Sequence, residues 1–167
     1  YVTLEPCCHH GKTPPCTDKI IAHRITRVVI GATDSNPLVS CRGISCLQEA
    51  GIAVTTGVLE KESRDLNEVF FHFMEKGRPF VTVKYAQSLD GRIATATGQS
   101  QWISSPASLK FAHQLRARHD AILVGSKTVL ADNPTLTVRH VRGRNPVRII
   151  LDSKLVTPRD ANVMQNR

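Results

Sequence analysis

Aromatic residues are scarce in this sequence: one Trp, two Tyr and five Phe, or 5% of 167 residues. That is too few for a platform on which the bases of a nucleic acid stack. Long apolar runs are absent as well, none approaching the roughly 18–20 residues of a membrane span, so no membrane partner is expected. There is no internal repeat, no low-complexity tract, and no secretory signal pattern at the start. Acid is in short supply, with 14 Asp and Glu against 22 Lys and Arg for a net charge of +8. Cysteines number five, an odd count, with Cys7, Cys8 and Cys16 inside ten residues. A secreted disulfide scaffold spreads more cysteines through a shorter chain. Clustered Cys beside His reads as a metal site in a reducing cytoplasm.

What is present divides in two. Residues 1–78 hold nine basic and nine acidic side chains, and residues 79–167 hold thirteen basic and five acidic. The whole net charge therefore lies in the second part. Excess positive charge serves nucleic acid or phosphorylated small molecules, and it can also be a merely solvated surface. Gly77-Arg78-Pro79 breaks a helical pattern and marks the boundary.

Before that boundary, strand-like and helix-like segments alternate. Arg27–Ala32 and Ile52–Thr56 read as strands, Thr17–Arg24 and Arg42–Ala50 as helices, the latter stopped by Gly51. Glu60–Lys76 reads as one amphipathic helix with Leu59, Leu66, Val69, Phe70 and Phe73 on its apolar side. Cys41 and Cys46 read as buried small apolar residues. After the boundary, Phe80–Ala86, Ala121–Gly125 and Pro146–Asp152 read as strands. Ser88–Arg92 reads as an Asp-Gly turn, and Ser105-Pro106 as a helix start running to Arg118. Alternation of this kind predicts parallel pairing and an α/β fold.

The densest chemistry lies in Thr3-Leu4-Glu5-Pro6-Cys7-Cys8-His9-His10-Gly11-Lys12-Thr13-Pro14-Pro15-Cys16. Zinc prefers thiolate and imidazole in tetrahedral array. Eight residues rich in Pro and Gly can turn back and set Cys7 and Cys16 on one ion. Cys16 opens a helix, whose positive end favours thiolate. Two thiolates do not close a site, and His9 and His10 are the local candidates for a third ligand. A zinc staple without chemistry, or two free thiols, remains the plainer alternative.

This run resembles the pyrimidine deaminase domain of the bifunctional riboflavin-biosynthesis deaminase/reductase family, whose wide Cys spacing sets it apart from other zinc deaminases. The resemblance implies a three-layer cytidine-deaminase-like domain over 1–77, with Cys7 and Cys16 as zinc ligands. Cys8 falls outside the ligand set. His10, Lys12 and Thr13 would line the substrate pocket, with Lys12 a candidate for the ribose phosphate. The family's His-x-Glu pair, a third ligand and a proton shuttle, does not occur in these 167 residues. We therefore expect a piece of a longer enzyme, with that pair upstream of Tyr1, weak zinc binding and no deaminase activity in these residues alone.

The second part resembles the family's NADPH-dependent reductase domain, of dihydrofolate-reductase-like fold, over 78–167. The resemblance rests on Lys84-Tyr85-Ala86-Gln87-Ser88-Leu89-Asp90-Gly91-Arg92, Gly98–Ile103, Leu115-Arg116-Ala117, Gly125–Pro134, Leu136–Arg139 and Leu151-Asp152-Ser153. It implies substrate contacts at Ser100, Arg116, Leu136 and Arg139, and cofactor contacts at Ala86, Trp102, Thr128, Asp132 and Ser153. Arginine suits a phosphorylated substrate because its planar fork makes two hydrogen bonds to phosphate oxygens. The implied ligands are zinc, NADPH and a phosphoribosyl-pyrimidine, in a cytoplasmic enzyme whose resemblance leaves room for a homo-oligomer. Further strands and a glycine-containing cofactor segment are expected beyond residue 160, so weak NADPH binding is expected of these residues alone. A structural zinc module and a nucleic-acid-binding fragment are the alternatives, the second disfavoured by scattered basic residues and few aromatics.

Overall fold

The computed structural model describes residues 1–100 and 103–165. The chain divides into two compact units, Tyr1–Thr82 and Val83–Arg167. The first extends past the glycine-proline break because the Phe80 ring meets His72 edge to face, centroids 5.4 Å apart. That contact ties the segment after the break to the helix before it.

The first unit runs β1 (Val2–Leu4), α1 (Cys16–Ala22), β2 (Arg27–Ala32), α2 (Arg42–Glu49), β3 (Ala53–Thr56), α3 (Glu60–Leu66) and α4 (Glu68–Lys76). Its three strands form a parallel sheet in the order β1-β2-β3. β2 is central and, after Arg27, wholly buried, which is why Val28-Val29-Ile30-Gly31-Ala32 reads as an unbroken apolar run rather than an alternating one. Val28, Ile30, Leu47 and Ile52 form the core, with Ile20, Ile44 and Val54 against it. Gly31 has no side chain for a packing reason: a Cβ there would lie 2.0 Å from Ser63 Oγ. Its absence lets α3 lie directly on β2.

Two expectations fail in this unit. The helix over residues 60–76 is two helices, parted at Asn67, whose φ of −108° leaves the helical range. The break rotates the apolar stripe, so Phe71 and Ser63 are buried while Leu59, Leu66, Val69 and Phe73 are exposed. Cys41 is exposed and Cys46 half-buried. Cys41 stands outside the helix in the left-handed region, φ 62°, which turns it away from the core.

The second unit holds α5 (Pro106–Arg118), β4 (Ala121–Gly125), α6 (Ser126–Asp132), β5 (Val147–Leu151) and α7 (Asn162–Gln165). β4 and β5 pair in parallel, Gly125 opposite Leu151. Ser105 caps α5 by accepting the Ser108 N–H at 3.2 Å, with Pro106 in the first position, as the sequence indicates. Val129, Leu136, Ala161 and Val163 form a second core under Ile122, Val124 and Ile150. The Ser88–Arg92 turn is present, closed by Arg92 N–H to Ser88 Oγ at 3.1 Å. The strand expected at Phe80–Ala86 is not formed. Among the described residues the segment joins neither sheet, and a strand exists only through a hydrogen-bonded neighbour. No helix among the described residues is long and apolar enough to cross a membrane.

Candidate functional site

In the first unit the chemistry gathers at the carboxyl end of β1. Here Glu5, which sequence reasoning gave no role, proves to be the organiser. It is 3% exposed. Its main chain continues the sheet, Glu5 N–H to Ala32 O at 3.0 Å. Its Oε2 accepts the N–H of Asp34 at 3.2 Å and of Cys41 at 3.1 Å, and its Oε1 accepts that of Ile44 at 3.2 Å. The last two are the free amides at the start of α2, where a carboxylate is favoured. α2 also comes so close to Pro6 that a Cβ on Gly43 would lie 2.0 Å from the Pro6 carbonyl oxygen. Pro6 and Cys7 are thereby held against a helix start. A sequence signal existed in Glu-Pro-Cys itself, but its three partners lie 29, 36 and 39 residues away.

Cys7 and Cys16 do come together. Cys7 Sγ accepts the Cys16 N–H at 3.3 Å. The Cys7 carbonyl accepts both the N–H and the hydroxyl of Thr17, each at 3.2 Å. α1 is thus anchored, through buried Thr17, on the main chain of the other cysteine. The Cys16 thiol is pushed above its usual range, first by its hydrogen bond with the Cys7 side chain, then by burial and the Cys7 charge. The helix start does not by itself make Cys16 a thiolate, because two adjacent sulfurs resist ionising together; a divalent cation between them reverses that balance. The donor types and their convergence fit zinc. Among the described residues no third Cys, His, Asp or Glu joins them to complete a metal cluster. His10, Lys12 and Thr13 lie exposed on the loop between β1 and α1. At Asp34, whose N–H donates to Glu5, burial pushes the carboxyl up, and Glu5 adds to the rise against the pull of the Asn36 amide and His9.

The second unit carries a cationic cluster. α5 presents Arg116, half-buried, whose Nη1 donates to the Thr137 carbonyl at 2.6 Å. Its Nε is buried with no hydrogen-bond partner. Burial, then the neighbouring Arg139 charge, lowers its pKa. Arg139 donates to the Thr135 and Thr137 hydroxyls. Leu136 sits between these threonines, buried, at φ 55°, a left-handed conformation that costs a leucine energy. Among the described residues no carboxylate pairs with Arg116 or Arg139. Two guanidinium groups close enough to repel, one with an orphaned buried N–H, suit an anion.

Thr128 and Ser153 are exposed just past the carboxyl ends of β4 and β5, and Asp132 closes α6. The register sets Ser126 and Asp152 to leave the sheet side by side. Ligands of parallel α/β sheets bind at that end. Ala86 is half-buried in the irregular segment and Ser100 is exposed. Trp102 lies outside the described residues.

Both units are parallel α/β, one with a converging thiol pair and the other with two arginines that no described carboxylate pairs, which defines the class as α/β with parallel sheets. The family model described as "RibD C-terminal domain" matches residues 79–167. The chain belongs to the RibD family. It is 54% identical over 165 residues to the riboflavin biosynthesis protein RibD of Bacillus amyloliquefaciens, covering 98% of this chain and 44% of that protein. The Aquifex aeolicus RibD is likewise 54% identical, with 98% and 46% covered. Among solved structures, the Thermotoga maritima diaminohydroxyphosphoribosylaminopyrimidine deaminase/5-amino-6-(5-phosphoribosylamino)uracil reductase superposes with a TM-score of 0.89 at 48% identity, covering 99% of this chain and 47% of that one. Acinetobacter baumannii RibD gives 0.87 at 39% identity, with 98% and 48% covered. The chain spans about half the length of the relatives it matches.

Proposed function

We propose that the chain serves riboflavin biosynthesis, contributing part of a zinc-dependent pyrimidine deaminase in residues 1–77 and part of an NADPH-dependent reductase in residues 78–167. The domains would be cytidine-deaminase-like and dihydrofolate-reductase-like, in a cytoplasmic enzyme. The substrate is a phosphoribosylated aminopyrimidine, which first loses an amino group and then has its ribosyl unit reduced to ribityl. The observation that carries this reading is the Arg116–Arg139 cluster, cationic, partly buried and without a carboxylate.

In the deaminase part, Cys7 and Cys16 would hold zinc together with donors that the described residues do not supply. Zinc contributes the Lewis acidity that activates water for hydrolysis. Glu5 fixes the main chain that carries Cys7, while Lys12, His10 and Thr13 face the substrate from the loop. In the reductase part, NADPH supplies the hydride. Arg116 and Arg139 bind the phosphate, and Ser100 and Leu136 orient the sugar beside them. Ala86, Trp102, Thr128, Asp132 and Ser153 contact the cofactor.

The test is to assay the protein carrying this chain for NADPH oxidation with the deaminated phosphoribosylaminouracil, and to measure its zinc. Substrate-dependent oxidation that is lost in Arg116→Met supports the reductase reading. Zinc that is lost in a Cys7→Ser, Cys16→Ser double variant supports the deaminase reading. Oxidation that Arg116→Met leaves intact refutes the arginine assignment.

A further inference from the structure

His113 belongs to no role assigned so far, yet it is among the most buried side chains in the protein, 1% exposed. It lies one helical turn before Arg116 on α5, so both side chains leave the same face of that helix. Its Nδ1 accepts the backbone N–H of Arg139 at 3.1 Å. Three residues on, Arg116 donates to the carbonyl of Thr137. α5 therefore grips the 135–139 segment at two points, with an acceptor for one amide and a donor for one carbonyl. The His140 ring closes edge to face on His113, centroids 4.5 Å apart.

We propose that His113 is a positioning residue for the anion-binding arginines, its ring nitrogen fixing the Arg139 main chain so that the Arg116 and Arg139 guanidinium groups are set for one phosphate. This rests on the phosphate reading of that pair. An acceptor at Nδ1 puts the ring proton on Nε2, so the group that holds Arg139 is the neutral imidazole. Burial first, and then the facing Arg116, His140 and Arg139, favour that neutral form. A carboxylate in the same place would accept the amide equally well, but it would pair with the arginines and compete with the ligand. Neutral histidine supplies an acceptor without that competition. A guanidinium held in place before the ligand arrives loses less freedom on binding.

Asparagine, whose Oδ1 falls near the place of Nδ1, separates this role from bulk packing. The probe is inorganic phosphate, followed by the broadening of its phosphorus resonance on titration into the protein carrying this chain. Arg116→Met and Arg139→Met test the underlying site. His113→Leu keeps the volume and removes the acceptor. We expect His113→Leu to weaken phosphate roughly tenfold, the scale of one lost hydrogen bond, and His113→Asn to stay within about twofold of the parent. The KM for the phosphorylated substrate should follow the same order with kcat little changed. Phosphate binding that survives both arginine substitutions refutes the site, and the proposal with it. Binding lost in the arginine variants but retained in His113→Leu overturns the role of His113 alone. Equal losses in His113→Leu and His113→Asn also overturn it, since the acceptor would not be what matters.

Discussion

The carboxylate of Glu5 lies 3.1 Å from the backbone nitrogen of Cys41, 36 residues further along the chain. With its contacts to Asp34 and Ile44, it joins the end of β1, the turn after β2 and the start of α2. A carboxylate accepts at both oxygens, whereas an amide accepts at one. Glu5→Gln should therefore leave at least one buried N–H facing an NH2 group, and cost about 2–3 kcal/mol. Urea denaturation of the protein measures it. An unchanged midpoint would show that these hydrogen bonds contribute nothing net.

Gly43 and Gly11 make a matched pair. A Cβ at Gly43 meets the Pro6 carbonyl oxygen at 2.0 Å, and one at Gly11 meets nothing within 4 Å. Gly43→Ala should destabilise by about 2 kcal/mol or more, because main chain must move. Gly11→Ala should stay within about 0.5 kcal/mol. Thermal melts of both variants provide the check.

His113 gives the second unit an acid-sensitive element. Burial, first, and the charges of Arg116, His140 and Arg139 lower its pKa from 6.5 to about 4. The unfolded chain therefore takes up a proton that the folded chain refuses between those values. The stability linked to this group is complete above about pH 6.5 and is lost as pH falls towards 4. The loss is about 3 kcal/mol, at about 1.4 kcal/mol per pKa unit. His113→Asn should flatten that part of the stability–pH curve, as followed by denaturation at pH 7, 5.5 and 4.5.

Arg139 bonds the Thr135 and Thr137 hydroxyls through its guanidinium. Lysine keeps the charge and loses the fork. Arg139→Lys should raise the KM for the phosphorylated substrate about tenfold and leave kcat within about twofold. A steady-state titration in NADPH and substrate decides it. Equal KM values would mean that charge alone serves the site.

Much of the fold was legible in particular residues. The apolar run at Arg27–Ala32 gave β2, Ser105-Pro106 gave the start of α5, and Gly51, at φ 78°, gave the stop after α2. These signals are local, so they survive without tertiary context. The strand that the sequence predicts at Phe80–Ala86 does not form, because the alternation of Val81, Val83 and Tyr85 specifies a face, not a partner. The predicted long helix is two, because a break at Asn67 leaves little trace in the sequence pattern, yet it decides which phenylalanine is buried.

The sequence by itself determined the chemistry available: two cysteines with eight residues between them, rich in Pro and Gly, arginines at 116 and 139, and an α/β alternation. Covalent spacing and side-chain type carry that information directly. Only the tertiary structure decided how the groups are held. It set the Cys7 sulfur on the Cys16 amide, placed Glu5 under three distant N–H groups, and put His113 beneath Arg139. Those partners stand 9 to 39 residues apart. Their meeting follows from parallel sheet register and helix packing, which join distant segments through burial rather than through local pattern.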